Sequence, residues 1–302
     1  MKSRIKLIAI LILALSGGCL QAGTDQPSSV FLIGHSLVNH NMPRMLEALA
    51  QDASLSYTGG RQIINGANLQ WHWNNSHTAE GMDARQALPT GDWDVLVMTE
   101  AVPLDNHLTW SDTEVFAGQF HDLAVSANPQ ARTFIYETWH CINSGLPDGC
   151  EWDDNDDIAW RERMDQDLPK WQGIADHLNA EFSGPQVRLI PAGQAMALIY
   201  DRALVGEVPG LSHAFDLFSD DIHLTDSGNY FIALVMFAAI FQQSPEGLTY
   251  QISNPWGTPY DLPAGATAHA FQALAWEAVQ DFFGPIDSIF TSRFEQAGPD
   301  LD

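Results

Sequence analysis

Short apolar runs rich in β-branched and aromatic residues alternate with longer stretches of helical periodicity along the chain. Val30 to Ile33, Arg61 to Ile64, Val95 to Met98, Thr133 to Tyr136 and Val187 to Ile190 read as strands. Helices are expected from Pro43 to Asp52, Asp112 to Asn128, Asp157 to Leu178, Gln194 to Leu204, Ser227 to Phe241 and Thr267 to Phe283. This alternation is the pattern of an α/β fold in which helices wrap a parallel sheet. Ser111, ahead of Asp112 and Glu114, stands where a helix N-cap is expected. Ligands of open parallel sheets sit beyond the carboxyl ends of the strands. The segments to inspect are therefore Gly34-His35-Ser36, Asn65-Gly66, Thr99-Glu100, Glu137-Thr138 and Pro191-Ala192-Gly193.

The amino terminus departs from this pattern. Lys2, Arg4 and Lys6 precede an apolar run from Leu7 to Leu15 and the small residues Ser16, Gly17 and Gly18. That run is far shorter than the roughly 20 residues needed to span a bilayer, so residues 1–22 read as a secretory signal peptide. Two processing routes are open: ordinary cleavage before Gly23, or lipoprotein processing before Cys19, whose lipidation would anchor the protein to a membrane. Against the second stands Ser16, where a lipobox normally has leucine. No repeat or Pro/Gly-rich linker divides residues 23–302, which are expected to form one domain.

Charge and cysteine content narrow the setting. The formal net charge is −25, and loss of Lys2, Arg4 and Lys6 with the signal takes it to −28. Such a surface repels nucleic acid and anionic membranes. Cys141 and Cys150 flank a loop sequence and are expected to be disulfide-bonded in an oxidising compartment, periplasmic or extracellular. The run Asp153-Asp154-Asn155-Asp156-Asp157 resembles the start of a calcium loop. Ile158 and Met164, however, stand where the loop glycine and bidentate glutamate are required, so no metal site is expected. Acidic residues opening a helix at Ile158 account for the run instead.

Two separated segments carry chemistry. Ser36 follows the first strand in a turn that would expose its hydroxyl, and Asp220 and His223 share one loop near the other end of the chain. A serine nucleophile needs an imidazole to take its proton and a carboxylate to orient that imidazole. Gly34-His35-Ser36-Leu37 near the amino end with Asp220-x-x-His223 near the carboxyl end resembles the SGNH (GDSL-like) hydrolases. The order matters, because α/β-hydrolases place Gly-x-Ser-x-Gly in mid-chain, and here Val38 replaces the second glycine.

The resemblance extends from Val30 to Phe241. It implies a three-layer flavodoxin-like sandwich, the triad Ser36, His223 and Asp220, and an oxyanion hole formed by the Ser36 and Gly66 backbones. It also implies an asparagine after the third strand, where this chain has Met98-Thr99-Glu100-Ala101-Val102-Pro103 instead. Thr99 and Asn68 are the candidate replacement donors, while Glu100 is open to a structural or a substrate role. Losing one oxyanion donor costs about 2.7–4 kcal/mol of transition-state stabilisation.

Of ten tryptophans, Trp71, Trp73, Trp93, Trp110, Trp139 and Trp152 fall near strand ends. Core packing is the default for any one of them, with Trp139 and His140 best placed to meet a ligand. The expected activity is hydrolysis of short acyl esters, O-acetyl groups on carbohydrate foremost, without a cofactor. A catalytically weak glycan-binding lipoprotein, and a lipase, thioesterase or acyltransferase using the same triad, are the alternatives.

Overall fold

The computed structural model describes residues 26–38 and 40–284, so the signal segment and Cys19 lie outside the described residues. Six strands form one sheet: β1 (Ser29–Gly34), β2 (Thr58–Ile63), β3 (Glu80–Gly81), β4 (Val95–Met98), β5 (Arg132–Tyr136) and β6 (Arg188–Ile190). Their order is β3-β2-β1-β4-β5-β6, parallel throughout except for the two-residue β3, which runs antiparallel at the β2 edge. Without β3 the order is that of the flavodoxin-like sheet, whose direction of winding reverses between β1 and β4.

The residues of β1 and β4 are buried on both sides, as strands covered by helices on two faces must be. Val30, Leu32, Val95, Val97 and Ile190 point into one apolar layer with α1 (Asn41–Asp52), α7 (Ala192–Leu204), α8 (Asp226–Phe241) and α9 (Ala266–Phe283). Phe31, Ile33, Leu96, Met98 and Leu189 point into the other, with α5 (Thr113–Ala127) and most of α6 (Trp160–Glu181). From Gly228 to Phe241 every residue of α8 is buried, the property of a helix enclosed by α1, α9 and the sheet rather than lying on the surface.

Three short helices, α2 (Leu69–Asn74), α3 (Ala84–Ala87) and α4 (Leu104–Trp110), lie in the connections after β2, β3 and β4. Two sequence expectations are corrected here. Ser111 does not cap α5: the cap position is Asp112, with φ of 47° and no side-chain cap, while Ser111 Oγ accepts a hydrogen bond from Asn68. The acidic run does not open α6, which begins at Trp160. Its carboxylates bind their own loop and the helix side instead: Asp153 pairs with Arg163 at 2.9 Å, and Asp156 accepts the Cys150 N–H at 3.1 Å.

Candidate active site

Ser36 sits just beyond β1, at the point where the winding reverses. The chain turns sharply there, with the Val38 N–H donating to His35 C=O at 2.9 Å. A Cβ on Gly34 would lie 2.2 Å from Val38 Cγ2, so the turn requires glycine at that position. Burial holds the His35 imidazole pKa down to about 4, with a hydrogen bond to the Glu100 carbonyl as the main opposing influence. The neutral ring makes two directed bonds: Nδ1 accepts from the Leu37 N–H at 3.3 Å, and Nε2–H donates to Glu100 C=O at 3.1 Å. His35 thereby ties the serine turn to the segment after β4.

His223 reaches the same point from 187 residues away, its Nε2 lying 2.9 Å from Ser36 Oγ. Its Nδ1 lies 2.8 Å from Asp220 Oδ2. An ionised carboxylate only accepts, so Nδ1 carries the proton and Nε2 presents a lone pair to the serine hydroxyl. Burial raises the Asp220 pKa, but the backbone N–H groups of His223 and Ile222, with the His223 ring, outweigh it and hold the carboxyl below its ordinary range. Ser36 is half-buried, whereas the Asp220 and His223 side chains are 51% and 40% exposed.

The loop bearing Asp220 and His223 is anchored from outside itself. It closes with Ser219 N–H to His223 C=O at 2.7 Å and feeds α8 through Thr225, whose hydroxyl caps the Gly228 N–H. Beyond β5, the Trp139 indole N–H donates to Ile222 C=O at 2.8 Å, and the Ile142 N–H donates to Asp221 C=O at 2.7 Å. Next to Ile142, Cys141 is disulfide-bonded to Cys150. The segment from Trp139 to Ile142 thus holds the two carbonyls between the acid and the histidine.

Gly66 has φ of +70°, and its loop starts with the Ile64 N–H donating to Gly34 C=O at 3.1 Å. Among the described residues, neither the Ser36 nor the Gly66 backbone N–H donates to a protein acceptor. The replacement donors fare differently. Thr99 is buried and its hydroxyl donates to Glu100 C=O, while the Asn68 amide donates to Ser111 Oγ and lies against His107 Nδ1. Both side chains are thus engaged within the protein in this structure.

Three further candidate residues lie inside the protein. Trp139 and His140, expected to meet ligand, are buried at 0% and 2% exposure. His140 belongs to an ionic cluster with Asp153, Arg163 and Asp167, and Lys170 joins Asp167 to Asp105. Glu100 is buried too, accepting from the Leu69 N–H, the Ala101 N–H and the Thr113 hydroxyl, and so holds the loops after β2 and β4 together. Burial raises its pKa to about 7 against those three hydrogen bonds. Sequence reasoning assigned no role to His35, although its place between Gly34 and Ser36 was the available signal.

No family model and no curated protein sequence matches the chain. Among solved structures, it is similar to a DUF4886 family protein from Bacteroides uniformis, with a TM-score of 0.60 and 16% identity over 83% of this chain and 94% of that one. It is also similar to a carbohydrate esterase family 3 protein from Talaromyces cellulolyticus, with a TM-score of 0.45 and 13% identity over 71% of this chain and 96% of that one. A member of the lipolytic G-D-S-L family from Veillonella parvula gives a TM-score of 0.38 and 14% identity over 70% and 95%. The Bacteroides protein shares the α/β fold across nearly its whole length.

Proposed function

We propose that the chain is an SGNH-type serine ester hydrolase acting on short acyl esters, with acetyl groups on carbohydrate as the leading substrate class. The observation that carries this reading is the relay Ser36–His223–Asp220, with contacts of 2.9 and 2.8 Å at the sheet's switch point. In the proposed reaction Ser36 Oγ attacks the acyl carbon while its proton passes to His223 Nε2. The oxyanion takes hydrogen bonds from the Ser36 and Gly66 N–H groups. Collapse breaks the ester C–O bond as the imidazolium returns the proton to the leaving alcohol. Water, deprotonated by His223, then releases the acid and restores Ser36. Asp220 keeps the ring in the required tautomer and stabilises its charged form.

The disulfide supports the exported setting of this reading. The acetyl preference is supported by the polar character of the connection after β2, where Asn74, His77 and Thr78 are exposed. The test compares residues 23–302 with the Ser36→Ala variant on p-nitrophenyl acetate, p-nitrophenyl dodecanoate and acetylated xylan. Acetate release that disappears with Ser36→Ala while Tm stays unchanged is expected. Turnover that persists in the variant overturns the assignment, and faster hydrolysis of dodecanoate than acetate moves the substrate class to lipid esters.

A further inference from the structure

Four tryptophans stand out by exposure, and three of them share one end of the sheet; the fourth, Trp256, is 87% exposed and lies in the connection between α8 and α9. Trp93, Trp139, Trp160 and Trp171 are no more than 7% exposed, whereas Trp71, Trp110 and Trp152 are 56%, 81% and 78% exposed. Each stands in a connection leaving the carboxyl end of a strand: α2 after β2, α4 after β4, and the disulfide loop after β5. β2 and β4 are the two neighbours of β1, whose tip carries Ser36. Leaving three large apolar faces in water at one end of a sheet forgoes burial that the fold obtains elsewhere, which marks a binding surface.

The three also stand in a row of linked connections. The Asn68 side chain caps α2 by accepting the Trp71 backbone N–H at 2.7 Å and donates to Ser111 Oγ, next to Trp110 in the chain, at 2.8 Å. Asn106 precedes Trp110 by four residues and shares its face of α4. Its side chain donates to the Trp152 C=O at 2.7 Å. These bonds tie the three connections that bear Trp71, Trp110 and Trp152 to one another in that order.

We propose that this row is a set of stacking subsites for a neutral oligosaccharide that carries the ester to Ser36, an inference that rests on the esterase reading above. Flat, solvent-exposed apolar rings carried on adjoining connections offer stacking faces for the C–H faces of successive pyranose units. Exposed Glu151 and Asp154 flank Trp152 in a chain of net charge −25, which disfavours an anionic polymer. A quaternary ammonium ligand calls for rings converging into a cage, and here they are strung along three connections. A protein partner would call for continuous apolar area, and here each ring is carried on a different connection.

The test uses two readouts on the Trp71→Ala, Trp110→Ala and Trp152→Ala variants and their combination. Hydrolysis of p-nitrophenyl acetate, which is too small to reach a row of subsites, is expected to stay within about twofold of wild type. Calorimetric affinity of the Ser36→Ala protein for acetylated xylohexaose, cellohexaose and mannohexaose is expected to fall about tenfold for the tighter binders on each removal. Unchanged affinity for all three in the triple variant, or stronger binding of a glucosamine hexamer than of the neutral sugars, overturns the proposal. So does a loss of self-association in place of a loss of sugar affinity, which would make the row a contact between copies. If tryptophan-dependent sugar binding stands while p-nitrophenyl acetate is not hydrolysed by wild type, the esterase reading fails and the row remains.

Discussion

The two halves of the relay are held in opposite ways. Ser36 lies in a turn whose shape is set from within, by Gly34, by the backbone bond from Val38 to His35 and by the His35 ring buried beside it. Asp220 and His223 lie on a half-exposed loop whose carbonyls are held from outside, by Trp139 and Ile142 beyond β5. One half is built by local sequence and the other by a distant segment. Damage to the first should therefore register in folding, and damage near the second in turnover.

The largest expected effect falls on the exposed half. Asp220→Asn leaves the loop's geometry nearly intact but replaces the acceptor of Nδ1–H with a group that can also donate, so the ring can flip its proton to the nitrogen facing Ser36. A loss of about 10⁴-fold in kcat is expected, with KM and Tm almost unchanged. Steady-state kinetics beside thermal melts decide this. A loss under about tenfold would show that solvent at the half-exposed carboxylate replaces its role.

The buried half is expected to respond through stability and pH. Glu100 titrates near 4.5 when unfolded and is raised to about 7 by burial in the fold. A raised carboxyl contributes stability that is complete below its unfolded pKa and is lost as pH rises through the folded one. Glu137, raised to about 8 by its own burial, acts in the same direction. His35 and His72, held down to about 4 and about 3 by burial, act in the opposite direction: their contribution is lost as pH falls below 6.5.

Stability should thus peak between about pH 5 and 6.5 and decline toward pH 8. Glu100→Gln fits the existing bonds, since its oxygen can accept from Leu69 and Ala101 while its amide donates to Thr113, whose hydroxyl already reaches His107 C=O. The variant should match wild type at pH 5 and exceed it at pH 8 by up to about 3 kcal/mol. Denaturant melts at the two pH values measure this, and an equal difference at both would show that the fold does not raise the Glu100 pKa above its unfolded value.

The same division explains what could be read in advance. β4 occupies the expected residues, Val95–Met98, because a buried parallel strand is a continuous apolar run. Ser36, Asp220 and His223 stood out because acid and base share one loop and the serine follows the first strand. The two-residue β3, the six-residue α2 and the seven-residue α4 cover fewer than two full periods of their patterns, too few to stand out. The direction of a side chain just past a strand was not legible either. His140 turns inward because Asp167, 27 residues later, and Arg163 receive it, and local sequence carries no trace of that pairing. The outward aromatics, by contrast, were named only as members of a longer set that included the buried Trp93 and Trp139.

The smallest effect is expected at Trp139, and it gives the sharpest test of external anchoring. Trp139→Phe keeps an aromatic ring against Phe218, which the indole meets edge-on at 6.2 Å between centroids, but removes the N–H that holds Ile222 C=O. Ile142 still holds Asp221, so the loop keeps one of its two outside anchors. With one carbonyl released, the imidazole should spend less time within reach of Ser36. A fall in kcat of about tenfold with little change in KM is expected, because the substrate's own contacts are untouched. The ring is fully buried, so some loss of stability accompanies the change. The two effects separate in the pH profile: a displaced imidazole shifts the acidic limb of kcat/KM, whereas partial unfolding lowers the whole curve without moving it. Equal kcat for the Phe variant and wild type, after correction for folded fraction, would mean that Ile142 and the loop's own bonds suffice to hold His223 in place.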